Sequence, residues 1–221
     1  MELKNCVSKA FEDSCKKYSE ILNSGFKPWA NNKKASIHET NMVMNFMESY
    51  KSHRRNDCVT WVEFAVPYRK DMQDKKRKIN HIDGFIVDGT RVILIEAKRL
   101  SKVEERKKEL ETDLSVLVDV FKDKESLTGL ISRLPSGRDY KFYCLLLADF
   151  WANRNIETGK KMTVLDWKDW IKSLYNNNDT KSYLGTYRDD CVDMKEVFKY
   201  NYHLAYALFE LPDFKLKPAL V

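Results

Sequence analysis

Asp83, Glu96 and Lys98 are charged residues inside or at the ends of the two apolar runs of the segment HIDGFIVDGTRVILIEAKRL, at residues 81–100. Asp-Gly between two apolar runs is a strong signal for a β-hairpin, and it predicts a tight turn at Asp88-Gly89. A charge removed from water is costly unless it is paired or binds a metal. Three charges in a buried pair of strands therefore need a chemical explanation.

With Asp88-Gly89 as the turn, alternation along the strands places Asp83, Glu96 and Lys98 on one face of the sheet. Glu96 is then expected to be the diagonal neighbour of Asp83, about 7–8 Å away at the backbone. Two carboxylates that close repel unless a cation lies between them, and Mg²⁺ prefers oxygen ligands. The spacing predicts a site for Mg²⁺ or Mn²⁺, with Lys98 able to reach a phosphate. The alternative is a partly buried ion-pair network.

The pattern of the rest of the chain predicts alternating helices and strands. Helices are expected at 2–23, 36–51, 102–122, 164–175 and 194–200, and strands at 59–68, on both arms of the hairpin, at 140–151 and at 202–211, with Asn- and Asp-rich loop between 175 and 194. The strand at 140–151 follows a helical crossover, so it should lie parallel to a strand of the same sheet.

This order predicts an α/β fold with a mixed central β-sheet and helices on both faces. The expected organisation is a single domain with three parts. They are an N-terminal helix and connection at 1–35, a core at 36–151 and a C-terminal extension with a further helix and strand at 152–221.

An Asp in one hairpin strand, followed by an apolar strand that ends in Glu-x-Lys, resembles the PD-(D/E)XK nuclease superfamily. The matching residues are Asp83 and the sequence VILIEAK, which ends in Glu96-Ala97-Lys98. The restriction-endonuclease-like core of that superfamily has the order αβββαβ, and the elements expected from 36 to 151 follow it. The proline of the family name is absent, since Ile82 precedes Asp83.

The resemblance implies a role for each motif residue. Asp83 and Glu96 would bind the metal, with the backbone carbonyl of Ala97 as a further ligand. Lys98 would orient or help to deprotonate the attacking water and would stabilise charge on the scissile phosphate. The resemblance also points to an acid on the first core helix, for which Glu39 is the candidate and a further possible ligand. The sequence Ser36-Ile-His-Glu39 is equally a capping box, in which Glu39 would bond the Ser36 backbone.

Several other residues are secondary candidates. Glu63 alternates with apolar neighbours in the preceding strand and is expected to face solvent or to support the acidic site. His81 is expected on the face of Asp83, opposite Glu96, as an imidazole near the site. The charged loop at 69–78 could bind phosphates, and its candidates for nucleic-acid binding are Lys75, Lys76, Arg77 and Lys78. Such charge runs are otherwise simply solvated.

Composition adds weaker indications. The formal net charge is +6, from 39 Lys and Arg against 33 Asp and Glu, which is compatible with a polyanionic partner. The 5 cysteines are scattered without a C-x-x-C motif, so reduced thiols are expected. The N-terminal sequence lacks the order of a signal peptide and no apolar run is long enough to span a membrane. These features predict a cytoplasmic protein with no membrane partner.

Together with the predicted metal site, the resemblance implies a Mg²⁺-dependent DNA endonuclease that acts in restriction and defence or in recombination and repair. DNA rather than RNA is the expected partner, and a homodimer would supply two active sites for cutting a duplex. Two alternatives remain open: a non-catalytic nucleic-acid-binding module on the same fold, and a structural or partner-binding α/β protein.

Overall fold

The computed structural model describes residues 2–23, 39–54, 58–68, 78–100, 103–153, 164–174, 183–189 and 200–211. The helices in this part of the chain are α1 (Leu3–Asn23), α2 (Glu39–His53), α3 (Val103–Lys122), α4 (Lys124–Ile131) and α5 (Val164–Leu174). The strands are β1 (Cys58–Tyr68), β2 (Lys78–Asp88), β3 (Arg91–Arg99), β4 (Lys141–Asn153), β5 (Tyr183–Asp189) and β6 (Tyr200–Leu211).

The six described strands form one mixed sheet in the order β1-β2-β3-β4-β6-β5. The β3 and β4 strands are parallel, and every other pair of neighbours is antiparallel. The parallel pair follows from the crossover through α3 and α4, because a strand that returns through helices can re-enter the sheet in the same direction. The predicted α/β class and mixed sheet are confirmed.

Helices cover both faces of this sheet, as predicted. On one face, α1 and α2 bury their apolar stripes against alternate residues of β3 and β4, among them Ile95 and Leu145. On the other face, α3, α4 and α5 pack against the residues between these, such as Leu94 and Leu146. Strands that are buried on both faces need continuous apolar runs, and this explains the composition of VILI in β3 and CLLL in β4.

Two described elements were not predicted. The α4 helix begins after Asp123, whose carboxylate caps the helix by accepting the backbone N–H of Ser126. The β5 strand lies in the segment predicted as loop, where it pairs with β6 at the edge of the sheet. A glycine inside this strand, Gly185, weakens its sequence signal. The helix predicted at 194–200 lies outside the described residues except for Tyr200, which begins β6 instead.

The hairpin turn is one residue later than predicted. Asp88 pairs with Arg91 in the β2–β3 ladder, so the turn residues are Gly89 and Thr90. The reason is a tertiary contact, because the buried Asp88 carboxylate accepts hydrogen bonds from Tyr50 Oη at 2.8 Å and from Arg54 at 2.6 and 2.9 Å. Gly89 adopts a φ of 62°, which suits the first position of a two-residue hairpin turn.

Four described cysteines, Cys6, Cys15, Cys58 and Cys144, are buried with free thiols, as expected, and Cys191 lies outside the described residues. No helix in the described ranges has the length and apolar character needed to cross a membrane.

The α2 helix packs tightly against the hairpin at Gly84, the residue after Asp83. A Cβ atom on Gly84 would lie 2.5 Å from Val43 Cγ1 and 3.2 Å from Ile95 Cβ. The missing side chain of Gly84 therefore lets α2 pack directly onto β2 beside the candidate metal ligand.

Gly84→Ala is expected to lower the free energy of unfolding by about 1–3 kcal/mol, because the added methyl group overpacks a rigid contact with a β-branched side chain. Gly129→Ala is the matched control, since the same change in α4 meets no atom within 4 Å. Replacing a helical glycine by alanine should raise the free energy of unfolding by about 0.5–1 kcal/mol. Urea unfolding of the two variants measures both effects. Equal stability of the two variants would show that the contact at Gly84 is not tight.

Candidate active site

The candidate site lies where β2 separates from β3. The ladder between these strands ends at Gly84 and Ile95, whereas β3 continues beside β4 as far as Arg99 and Asp149. Beyond Gly84, β2 pairs with β1 alone. The last residues of β3 therefore have a strand on one side only, and their backbone groups on the other side need different partners.

Two carboxylates supply these partners. Asp83 Oδ2 accepts a hydrogen bond from the backbone N–H of Ala97 at 2.8 Å. Glu39 Oε1, at the start of α2, accepts one from the backbone N–H of Arg99 at 2.8 Å. The predicted third acid is thus at the site, and this bond draws it towards β3. The alternative capping role cannot be compared, because Ser36 lies outside the described residues.

The expected geometry of Asp83 and Glu96 needs one correction. The observed register, with Gly84 opposite Ile95, makes Glu96 the next residue across from Asp83 rather than its diagonal neighbour. The later turn moves the register by two residues, and a shift of two does not by itself change the face of a side chain. In β2, however, Ile82 and Phe85 both pack in the core on the α3 side, so the alternation is interrupted at Asp83-Gly84. The two carboxylates are nevertheless neighbours, because Asp83 raises the pKa of Glu96.

Glu96 is the most deeply buried charge-bearing group of the site. The residue is 2% exposed, and its buried Oε1 atom has no hydrogen-bond partner among the residues that the structure describes. Burial raises the pKa of Glu96 well above its usual value, and the charges of Asp83 and Asp113 raise it further. A buried carboxylate oxygen that receives no hydrogen bond lowers the stability of the folded state. A purely structural role would therefore not explain it.

Burial also raises the pKa of Asp83, against the effects of the Ala97 hydrogen bond and of the nearby Lys98 charge. The two acids therefore favour a proton between them when no cation is bound. A divalent cation would neutralise both charges and would give the unpartnered Glu96 oxygen a ligand bond, so the donor set fits Mg²⁺ or Mn²⁺. The carbonyl of Ala97 belongs to the same set, because the N–H and C=O of a strand residue point to the same edge.

Lys98 lies on the predicted face but is directed towards α3. Its Nζ atom is 3.0 Å from Oδ2 of Asp113, and the two side chains are 17% and 26% exposed. Burial lowers the pKa of Lys98, but the charges of Asp113, Asp83 and Glu39 outweigh it and the net shift is upward. Lys98 therefore stays a cation beside the acid pair.

Asp113 is the site residue that sequence reasoning missed. It lies one helical turn after Leu110 and one turn before Leu117, on the stripe of α3 that packs on the sheet. An acid within an apolar stripe was the available signal. Asp113 is thus a fourth carboxylate near Asp83, Glu96 and Glu39. In the described ranges, no group of three His, Cys, Asp or Glu side chains is close enough to hold a metal ion without further ligands.

The secondary candidates lie away from this cluster. Glu63 is exposed, as favoured. Its φ of 53° interrupts the alternation of side chains in β1, so that Val62 and Phe64 pack against the cores on opposite faces of the sheet. His81 is exposed and pairs with Ala65 of β1, so its predicted place opposite Glu96 is wrong. The reason is that β2 has already left β3 at that point.

The basic loop is only partly described. Lys75, Lys76 and Arg77 lie outside the described residues. Lys78 was predicted to be in the loop, but it begins β2 and pairs with Tyr68.

Comparison with known proteins identifies no relative. No family model matches this chain, and no match was found among curated proteins or solved structures.

The raised pKa of Glu96 predicts a pH-dependent stability in metal-free buffer. A raised acid pKa means that the folded state binds more protons than the unfolded state, so stability falls as pH rises above the usual value of 4.5. Glu96→Gln removes this loss. At pH 7 the variant should therefore unfold at a higher urea concentration than the wild type. Its free energy of unfolding should be larger by more than the ~0.5 kcal/mol typical of surface substitutions.

This difference should shrink as the pH falls towards 4.5, the usual glutamate value. Glu48→Gln is the control, because Glu48 is 65% exposed in α2, where it pairs with Lys17. Its stability curve should run parallel to that of the wild type. If the stability of Glu96→Gln also follows that of the wild type at every pH, Glu96 does not carry a buried charge without compensation.

Proposed function

We propose that this protein is a metal-dependent nuclease that hydrolyses phosphodiester bonds, with DNA as its substrate and an endonuclease mode of action. One observation carries the proposal. The Asp83 and Glu96 carboxylates are neighbours at the end of β3, and within the described part of the chain the buried Oε1 of Glu96 has no hydrogen-bond partner. Perturbed carboxylates that lack compensation are typical of functional sites.

The order of elements supports the same reading. From α2 to β4 the chain runs helix, three antiparallel strands, helices and a strand parallel to β3. This order is similar to the αβββαβ core of the PD-(D/E)XK superfamily, with α4 as an addition. The motif residues also meet at one strand end, as the resemblance requires. The support comes from the motif and the topology alone, because the comparisons with known proteins add none.

Hydrolysis of a phosphodiester needs charge neutralisation on the phosphate, an activated water and a stabilised leaving oxygen. When bound, Mg²⁺ or Mn²⁺ supplies Lewis acidity for these needs. Asp83 and Glu96 would hold the cation together with the Ala97 carbonyl. Lys98 would orient the attacking water or contact the scissile phosphate. Glu39 adds a negative charge near Asp83 and Lys98 and serves as a further possible ligand.

The net charge of +6 supports a polyanionic substrate. In the sequence, the basic residues 75–77 directly precede Lys78, which begins the strand that carries Asp83. Cutting both strands of a duplex would require two sites, which a two-fold homodimer would provide. Restriction, defence, recombination and repair all use such an activity.

A structural role is the rival reading, and one contact favours it. Lys98 is already paired with Asp113, as expected for an ion-pair network that stabilises the packing of α3. Under this reading the protein binds nucleic acid, if at all, without a steep loss of affinity as salt rises. A non-catalytic nucleic-acid-binding module would show the salt dependence without cleavage.

Incubation of linear, supercoiled, single-stranded and branched DNA with the protein and Mg²⁺ or Mn²⁺ should yield cleavage products that EDTA abolishes. Lys98→Met should slow cleavage by about 10²–10³-fold, the usual cost of losing a group that stabilises developing charge. Gel electrophoresis of the products measures both effects. Lys122→Met is the matched control, because Lys122 is 73% exposed and pairs with Asp119 of the same helix.

The control variant should cleave like the wild type. If no protein cleaves but all bind DNA with a steep salt dependence, the binding-module reading replaces the nuclease. If nothing cleaves and nothing binds, the acid pair and Lys98 serve the structure only.

A further inference from the structure

Asp113 determines where the Lys98 ammonium lies. The two groups form an ion pair of 3.0 Å in which both side chains are mostly buried. The α3 helix presents Asp113 rigidly, because Leu110, Leu114 and Leu117 are buried in the core beneath the helix. Lys98, in contrast, has a flexible four-carbon stem that can place its charge at several positions.

The alternative position for this charge is the acid pair itself. The carboxylate of Asp83 acts on the pKa of Lys98, and Lys98 acts in turn on the pKa of Asp83 and Glu96, so the three groups are neighbours. Among the residues that the structure describes, Lys98 nevertheless forms an ion pair with Asp113 alone. Within the same described ranges, the buried Oε1 of Glu96 receives no hydrogen bond.

We propose that Asp113 is a positioning residue that holds the Lys98 ammonium away from the Asp83–Glu96 pair and so keeps that pair open for a divalent cation. This inference rests on the proposed function, because it presupposes a cation site at the acid pair. It adds one specific feature to that site. Asp113, an acid that is not a metal ligand, holds the Lys98 ammonium, which would otherwise compete with the metal ion.

The physical basis is competition between two cations for the same oxygens. A lysine ammonium that lies between two carboxylates neutralises them and occupies the space of a metal ion. Without the Asp113 charge, the carboxylates that still attract the Lys98 ammonium are those of Asp83 and Glu39, and Asp83 lies beside Glu96. A divalent cation would then have to displace the ammonium before it could bind, and its apparent affinity would fall.

A double-mutant cycle on Mn²⁺ binding tests this inference without any cleavage step. The proteins are the wild type, Asp113→Asn, Lys98→Met and the double variant, and Mn²⁺ affinity is measured by electron paramagnetic resonance. Asp113→Asn should weaken Mn²⁺ binding by about tenfold, a size typical of coupled neighbours. In the Lys98→Met background the same substitution should change the affinity by less than about threefold, because no competing ammonium remains.

Two further variants separate this effect from general changes. Asp119→Asn removes an equal charge from the same helix, where it pairs with Lys122 at 3.7 Å, and should leave Mn²⁺ affinity unchanged. Asp113→Glu retains the charge and should restore most of the affinity. Urea unfolding of each variant verifies that the fold persists.

The outcomes are distinct. If Asp113→Asn weakens Mn²⁺ binding equally with and without Lys98, Asp113 acts on the metal directly and the positioning role is overturned. An unchanged affinity in Asp113→Asn overturns it as well. If the wild type binds no Mn²⁺, or if Asp83→Asn binds it equally well, the cation site fails and the proposed function falls with this inference.

Discussion

The backbone of β3 must find hydrogen-bond partners after β2 leaves it, and the candidate site is built around this requirement. A buried backbone N–H without a partner costs about 1–3 kcal/mol. The N–H groups of Ala97 and Arg99 meet the carboxylates of Asp83 and Glu39 instead of a neighbouring strand. Two acids from different elements are thereby fixed at one strand end, close to the third acid that β3 itself carries, Glu96.

The acids of the site differ from the other buried acids of the protein. Asp88 is fully buried, but it accepts hydrogen bonds from Tyr50 and Arg54 and lies near Arg91. Asp149 pairs with Arg99. Each of these carboxylates has an arginine partner, as expected for a charge that contributes to structure. Asp83 and Glu96 instead face each other, and the local cation is held by Asp113. Sites that accept such a local cost are commonly those that bind a ligand or perform chemistry.

Asp113 also shows how one helix can link stability to the site. Its neighbours in sequence pack α3 onto the sheet, while its own side chain lies next to Lys98. The position of the lysine charge therefore depends on the docking of α3 and not on β3 alone. A contact of this kind is compatible with both a nuclease site and a structural ion pair, and the distinction lies in whether the acid pair binds a cation.

The order of elements was largely predictable because long apolar runs and helical periodicity are local properties. The failures have tertiary causes. The α4 helix is short and depends on one capping aspartate, and β5 forms by pairing with β6 although its own sequence contains a glycine. The turn lies at Gly89-Thr90 because Tyr50 of α2 and Arg54, the residue after α2, hold Asp88 inside the ladder.

The sequence by itself determined that Glu96 and Lys98 lie on the face of β3 opposite to Ile95 and Ala97, because side chains alternate with a period of two along a strand. Only the tertiary structure decided how these groups meet. The separation of β2 from β3 brings Asp83 and Glu39 to the backbone of β3, and the packing of α3 places Asp113 beside Lys98. These contacts join residues far apart in the chain, and their geometry depends on the packing of whole elements, which no local pattern encodes.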